Sequence, residues 1–132
     1  MEFLLFIMPT VDDAIKEMKP FIVEGTYWIC TIPKDSEIPK NTIATFKEPK
    51  GLSVVIKQNE KPNLTYAGPK GMIDVGVDTP VGCKGFLAKL TKSIADKDIS
   101  VYAYSAYYRD YLFIPKEKVE ESLNTLKSLK DG

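Results

Sequence analysis

No histidine occurs among the 132 residues. That absence removes the commonest general base, the commonest zinc ligand and every histidine-based catalytic triad. Cysteine is scarce too: Cys30 and Cys83 are the two present, far apart and without the close spacing of a metal site. A disulfide framework of the kind that braces small secreted domains needs more of them. Neither sign of charge is in excess, with 18 Lys and Arg against 18 Asp and Glu. A nucleic-acid binder usually gathers a basic surplus on one face, whereas the lysines between Lys34 and Lys70 are scattered and read as solvated positions. No apolar run approaches the ~20 residues that a membrane span requires. The opening MEFLLFIM lacks a basic leading segment and is soon followed by Asp12 and Asp13, so it reads as a buried first strand or helix and not as a secretory signal. Together these absences point to a cytoplasmic protein without metal, cofactor, nucleic acid or membrane partner.

What is present is a core and a clear rhythm. The hydrophobic fraction of 44% is enough to bury an interior. In the second half, Gly71–Asp78 alternates as a strand does, and Thr79–Gly82 makes a turn. From Cys83 to Asp96 the apolar residues Phe86, Leu87, Leu90 and Ile94 recur at helical spacing. Ile99–Tyr107 reads as a strand with Val101, Ala103, Ser105 and Tyr107 on one face. Arg109 and Asp110 mark a tight connection to a strand over Tyr111–Ile114. A last helix over Lys116–Leu129 places Val119, Leu123 and Leu126 on one stripe, with Glu117, Glu120 and Glu121 early and Lys127 and Lys130 late, as the helix dipole favours.

The order is β-α-β-β-α, one strand short of a ferredoxin-like βαββαβ unit. The missing strand must come from the first half or from another chain, because an open edge is usually covered. The first half reads as strands over Phe21–Val23, Thr26–Thr31, Thr42–Phe46, Leu52–Lys57 and Asn63–Ala67, punctuated by Pro33, Pro39, Pro49 and Pro62. A short helix over Thr10–Met18 would use Thr10 as its N-cap. The Gly and Pro residues from Asn59 to Gly71 mark a seam that the missing strand crosses. The division is an N-terminal extension over 1–19, a strand-rich and incomplete first half over 20–68, and a second half over 69–132.

The segment Tyr104-Ser105-Ala106-Tyr107-Tyr108-Arg109-Asp110-Tyr111-Leu112-Phe113-Ile114-Pro115 resembles the end of the ACT-like domains in a family of small tandem-ACT proteins. There the strand-turn-strand typically reads I-S-[TA]-[FY]-x-x-D-[YH]-x-L-V-P and a helix follows. Glu24–Pro33 and Gly51–Val55 are similar to the family's first-half strands, so the likeness covers roughly residues 20–130. Tyr108 and Arg109 depart from a turn that is usually acidic or polar before the aspartate. The family's strand-helix glycine falls at Gly82 or Gly85. The resemblance implies an α+β fold of two ACT-like units packed side by side, with ligands, most often amino acids, held at the strand-helix loop between units. An arginine-sensing animal relative uses related modules. The implied role is a regulatory sensor without catalysis, working as a homodimer; the alternative is an assembly module, pairing with itself or a partner enzyme without a ligand.

An amino acid requires an anion cradle and a group for its ammonium. Thr79, Val81, Gly82 and Cys83, leading into a helix N-terminus, suit the carboxylate. Asp110 would hold the ammonium, Ser105 would hydrogen-bond either group, and Tyr107 with Tyr108 would wall the side chain. Each has a plainer use: Asp110 could satisfy turn donors, Ser105 could be a small core residue, and the tyrosines suit strands. Cys83 at a helix start could carry a lowered pKa, although a lone cysteine is usually a small buried hydrophobe. Glu120 and Glu121, adjacent on a helix, point apart and make a poor acid–base pair.

Overall fold

The computed structural model of the chain describes residues 10–80 and 82–132. The first strand or helix expected within residues 1–9 therefore lies outside the described residues. Helix α1 spans Val11–Glu17 and starts as the sequence demands: the Thr10 side chain accepts from the Asp13 N–H, and Asp13 answers at the Thr10 N–H. Ala14, Ile15 and Met18 bury its inner side.

Four strands follow. They are β1 over Phe21–Ile32, β2 over Thr42–Glu48, β3 over Gly51–Lys57 and β4 over Thr65–Asp74. Helix α2 covers Phe86–Ala95, β5 Tyr102–Ser105 and β6 Asp110–Pro115; a 3-10 turn at Lys116–Lys118 then leads into α3 over Val119–Leu129. Two pairs of expected strands are in fact single ones. Phe21–Val23 and Thr26–Thr31 merge into β1, which continues through a register shift beside Gly25 at φ 125°. Asn63–Ala67 and Gly71–Asp78 merge into β4, because β1 pairs with Ala67 before and Lys70 after the register shift that holds Gly68 (φ 151°) and Pro69, and β6 pairs from Lys70 onward. The strand thus runs straight through the seam.

The six strands make one sheet in the order β2-β3-β1-β4-β6-β5, with every neighbouring pair antiparallel. Within it, β4-α2-β5-β6-α3 is the expected β-α-β-β-α run. The absent fourth ferredoxin strand is β1, hydrogen-bonded to β4 on the side away from β6. The strand therefore comes from the first half of the same chain. The fold is a ferredoxin-type α+β arrangement, as the ACT-like resemblance implies.

Alternation decides what each face buries. Ile73, Leu112 and Ile114 point to the helices and join Phe86, Leu90, Ile94, Val119, Leu123 and Leu126 in the main core. Their neighbours Met72 and Phe113 point the other way, with Tyr27 and Val55. A flat six-stranded sheet would hold its edges about 24 Å apart, five spacings of ~4.8 Å. Yet Ile43 and Ala44 of edge strand β2 line one cavity of about 260 Å³ with Tyr104 of the opposite edge strand β5. The sheet therefore curls, and its helix-free face is concave. A third cluster, Trp28, Cys30, Ile32, Leu52, Val54 and Ile56, lies on β1 and β3 against Leu64.

Candidate functional site

The loop from Val75 to Gly85 joins β4 to α2 and is zipped onto the turn between β5 and β6. The Val75 N–H donates to the Asp110 carbonyl at 3.4 Å and the Thr79 N–H to the Tyr108 carbonyl at 2.7 Å. The Thr79 carbonyl in turn accepts from the Gly82 N–H at 2.8 Å. Gly76 sits at φ 73°, so close to Lys19 that a Cβ would meet the Lys19 carbonyl oxygen at 2.1 Å. Only glycine fits that crossing of backbones.

Side chains lock the same junction. The Arg109 Nε donates to Asp78 at 2.6 Å and its Nη1 to the two carboxylate oxygens of Asp74 at 3.1 and 3.3 Å. Asp74 also accepts from the Gly76 N–H at 2.8 Å. The hydrogen bond to Asp78 first, and those to Asp74 with it, raise the guanidinium above its ordinary pKa against the opposing effect of burial. Here lies the reason for the departure from the family's turn. Arg109 is matched by two acids on the facing loop, so its charge is already engaged. Sequence reasoning missed this trio, since its members lie 31 and 35 residues apart and no local pattern links them.

The residues singled out from the sequence fall as follows. Thr79 is buried and Cys83 half-buried. Asp110 is buried at 8% exposure and opens β6, not the turn, because the Ala106 N–H closes the turn onto the Arg109 carbonyl. Ser105 ends β5 directly opposite Asp110 in the ladder, so the two share the helix-facing side, but Ser105 is exposed and not a core residue. Tyr107 and Tyr108 project from the turn, edge to face at 4.9 Å, and both are exposed. Val81 lies outside the described residues. Strand β5 stops at Ser105 where the sequence suggests Tyr107, since the turn begins there.

The helix beyond the loop begins at Phe86, three residues later than the periodicity suggests, because Gly85 at φ 83° is its N-cap. Cys83 thus precedes α2, its carbonyl accepting from the Phe86 N–H at 3.0 Å. Burial, then the charges of Asp110 and Asp13, push its thiol pKa up. This corrects the option of a thiol activated by a helix start. The same effect brings Asp13 of α1 near Cys83, a residue the sequence did not connect with the loop. The N-cap residue Gly85 has no side chain with which to cap α2, and no acid stands in the helix's first turn. A carboxylate could approach that end of the helix and an ammonium the Asp110 side.

Among the described residues no group of His, Cys, Asp or Glu could hold a metal ion, and no helix is long and apolar enough to cross a membrane. Among curated proteins none matches the chain significantly. Among solved structures, a Vibrio cholerae protein of unknown function, named as a possible transport protein, is 26% identical, with TM-score 0.75 over 88% of this chain and 92% of that one. An Agrobacterium tumefaciens protein shares 15% identity at TM-score 0.73, over 86% of this chain and 90% of its own. The aspartate kinase of Clostridium acetobutylicum, an allosteric enzyme, is 10% identical at TM-score 0.61 over 84% of this chain, which spans 34% of the kinase; the last two likenesses bear on the fold alone. Residues 69–128 match the family model of the ACT domain, and ACT domains are generally regulatory ligand-binding modules. The second half of the chain is thus similar to the ACT domain family over residues 69–128.

Proposed function

We propose that the chain is a regulatory module that binds a free amino acid and catalyses no reaction of its own. One observation carries this reading. The β4–α2 loop, tied to the β5–β6 turn, leads into the N-terminus of α2, which starts at a glycine N-cap with no acid in its first turn, beside a buried carboxylate, Asp110. A helix N-terminus favours an α-carboxylate, and a carboxylate favours an α-ammonium. Thr79, Gly82 and Cys83 line the approach, Ser105 adds a hydroxyl opposite Asp110, and Tyr107 shields the ligand's side chain. Arg109 holds the walls together and leaves the ligand's carboxylate to the helix.

A cytoplasmic location and a homodimer complete the reading. Strand β5 is a sheet edge of four residues, where a second copy would add its own strand. The same edge favours a second reading, an assembly module without a ligand. A thermal-shift screen against the twenty amino acids decides between them. A ligand at a hundred times its dissociation constant adds about 2.7 kcal/mol. One or two amino acids should raise the midpoint saturably, and Asp110→Asn should abolish that shift while the unliganded protein stays folded. No shift with any amino acid at millimolar concentration would leave the assembly reading.

A further inference from the structure

The concave face of the sheet holds a second candidate site, on the side away from the helices. Its cavity of about 260 Å³, open to solvent on one side, is lined by Ile43 and Ala44 of β2, Tyr104 of β5, Ala106 just beyond it, and Met72, Tyr111 and Phe113 between them. A bulge aims this wall. Thr42 pairs with Ile56 and Ala44 with the adjacent Val55, so Ile43 is the extra residue and turns to the cavity alongside Ala44. The floor is set in advance, because Phe113 meets Tyr27 edge-on at 5.8 Å and Tyr102 edge-on at 6.1 Å. Ile43 in its wall is an exposed apolar residue, as are Phe46 and Tyr102, which line a second hollow further along the same face.

We propose that this cavity binds a small uncharged aromatic molecule, one or two fused rings in size. The volume argues for it: an apolar cavity of about 150 Å³ takes up benzene, and drug-sized ligands need about 300 Å³ or more. The lining argues for it too. Among the described residues, no Asp, Glu, Lys or Arg borders the cavity, so a zwitterion would lose its hydration without a counter-charge. Ring edges and faces already in T-shaped arrangement accept a further ring in the same way. This ligand is chemically distinct from the amino acid proposed for the loop, and the two sites lie on opposite faces of the sheet.

Indole is the probe, followed through methyl resonances. Titration to millimolar indole should shift the Met72 and Ile43 methyl signals saturably and leave those of Leu90 and Ile94, on the helix side, in place. Ala44→Phe fills the cavity from β2 and Ala106→Leu from beyond β5; each should weaken indole binding at least tenfold. Asp110→Asn should leave it unchanged, which separates this site from the loop. The proposal is overturned if Met72 does not move with indole, or if both filled variants fold and bind as before. It falls equally if the Met72 signal follows protein concentration and not indole, since the occupant is then a second copy of the chain.

Discussion

The strands on either side of β4 bury one sheet by two different means. On the C-terminal side, α2 and α3 lay Phe86, Leu90, Ile94, Leu123 and Leu126 over Ile73, Leu112 and Ile114. On the N-terminal side, β1 and β3 bury Trp28, Cys30, Val54 and Ile56 under Leu64, with Tyr66 edge-on to the Trp28 ring at 5.1 Å. The Trp28 Nε1 finds its acceptor in the Gln58 carbonyl at 2.9 Å. On the other face the sheet covers itself by curling, which leaves Tyr27, Val55 and Phe113 nearly inaccessible. A layer of helices is therefore one way to dry a sheet; curvature with a few large aromatics is another. The helix-covered side is the one that matches the ACT family model, while the other side supplies the strand that completes it.

The sharpest way to break this comparison is to ask whether the two sides unfold together. Leu90→Ala empties the helix-covered core and Ile56→Ala the strand-only core, both fully buried positions. Each should cost about 2–5 kcal/mol and lower the melting midpoint by on the order of 10 °C. Because β1 and β4 share a ladder, both variants should lower one common transition seen by Trp28 fluorescence and by circular dichroism. Separate transitions would make the two sides independent units and support a division at residue 68.

A smaller effect isolates the helix-covered side. Arg109→Gln removes the guanidinium that joins Asp74 and Asp78. About a third of the Arg109 side chain is exposed, so solvent screening limits the loss to roughly 1–2 kcal/mol. Urea unfolding should register that cost while the native Trp28 emission stays constant. A changed emission would mean that the loop–turn junction reaches the strand-only core.

The smallest effect compares the two cysteines. Burial alone raises the Cys30 thiol, whereas burial and then the charges of Asp110 and Asp13 raise that of Cys83. A raised thiol pKa keeps the reactive thiolate scarce at neutral pH, so both should alkylate slowly there and faster as pH rises. Asp13→Asn removes one of the charges that disfavour the Cys83 thiolate. It should quicken iodoacetamide labelling of Cys83 and leave Cys30 at its original rate. Equal acceleration at both would mean that the substitution loosens the fold.

Much of the local architecture is written in the chain order. The Thr10 N-cap, the Val119-Leu123-Leu126 stripe and the alternation over Met72–Val75 are readable because each depends on neighbours within a few residues. Boundaries failed where tertiary pairing overrode local signals: Gly68 and Pro69 look like a break, but β1 pairs with β4 before and after them and carries the strand across a register shift. The start of α2 moved to Phe86 for a related reason, since apolar periodicity cannot register the left-handed cap at Gly85. At the candidate site, Thr79, Cys83 and Asp110 could be named from the sequence because they sit at a turn and a helix start, whereas the link of Arg109 to Asp74 and Asp78 could not.

By itself, then, the sequence determined which residues turn inward and where helices and strands alternate, because periods of 3.6 and 2 follow from covalent geometry alone. It also set the excluded chemistry, since side chains that are absent cannot act. Only the tertiary structure decided that β1 fills the fourth ferredoxin position, that Arg109 spans two acids on the facing loop, and that the edge strands close toward each other around a cavity. These are contacts between residues far apart in the chain, and an apolar face can meet any apolar partner until the whole set of strands finds the arrangement that buries them together.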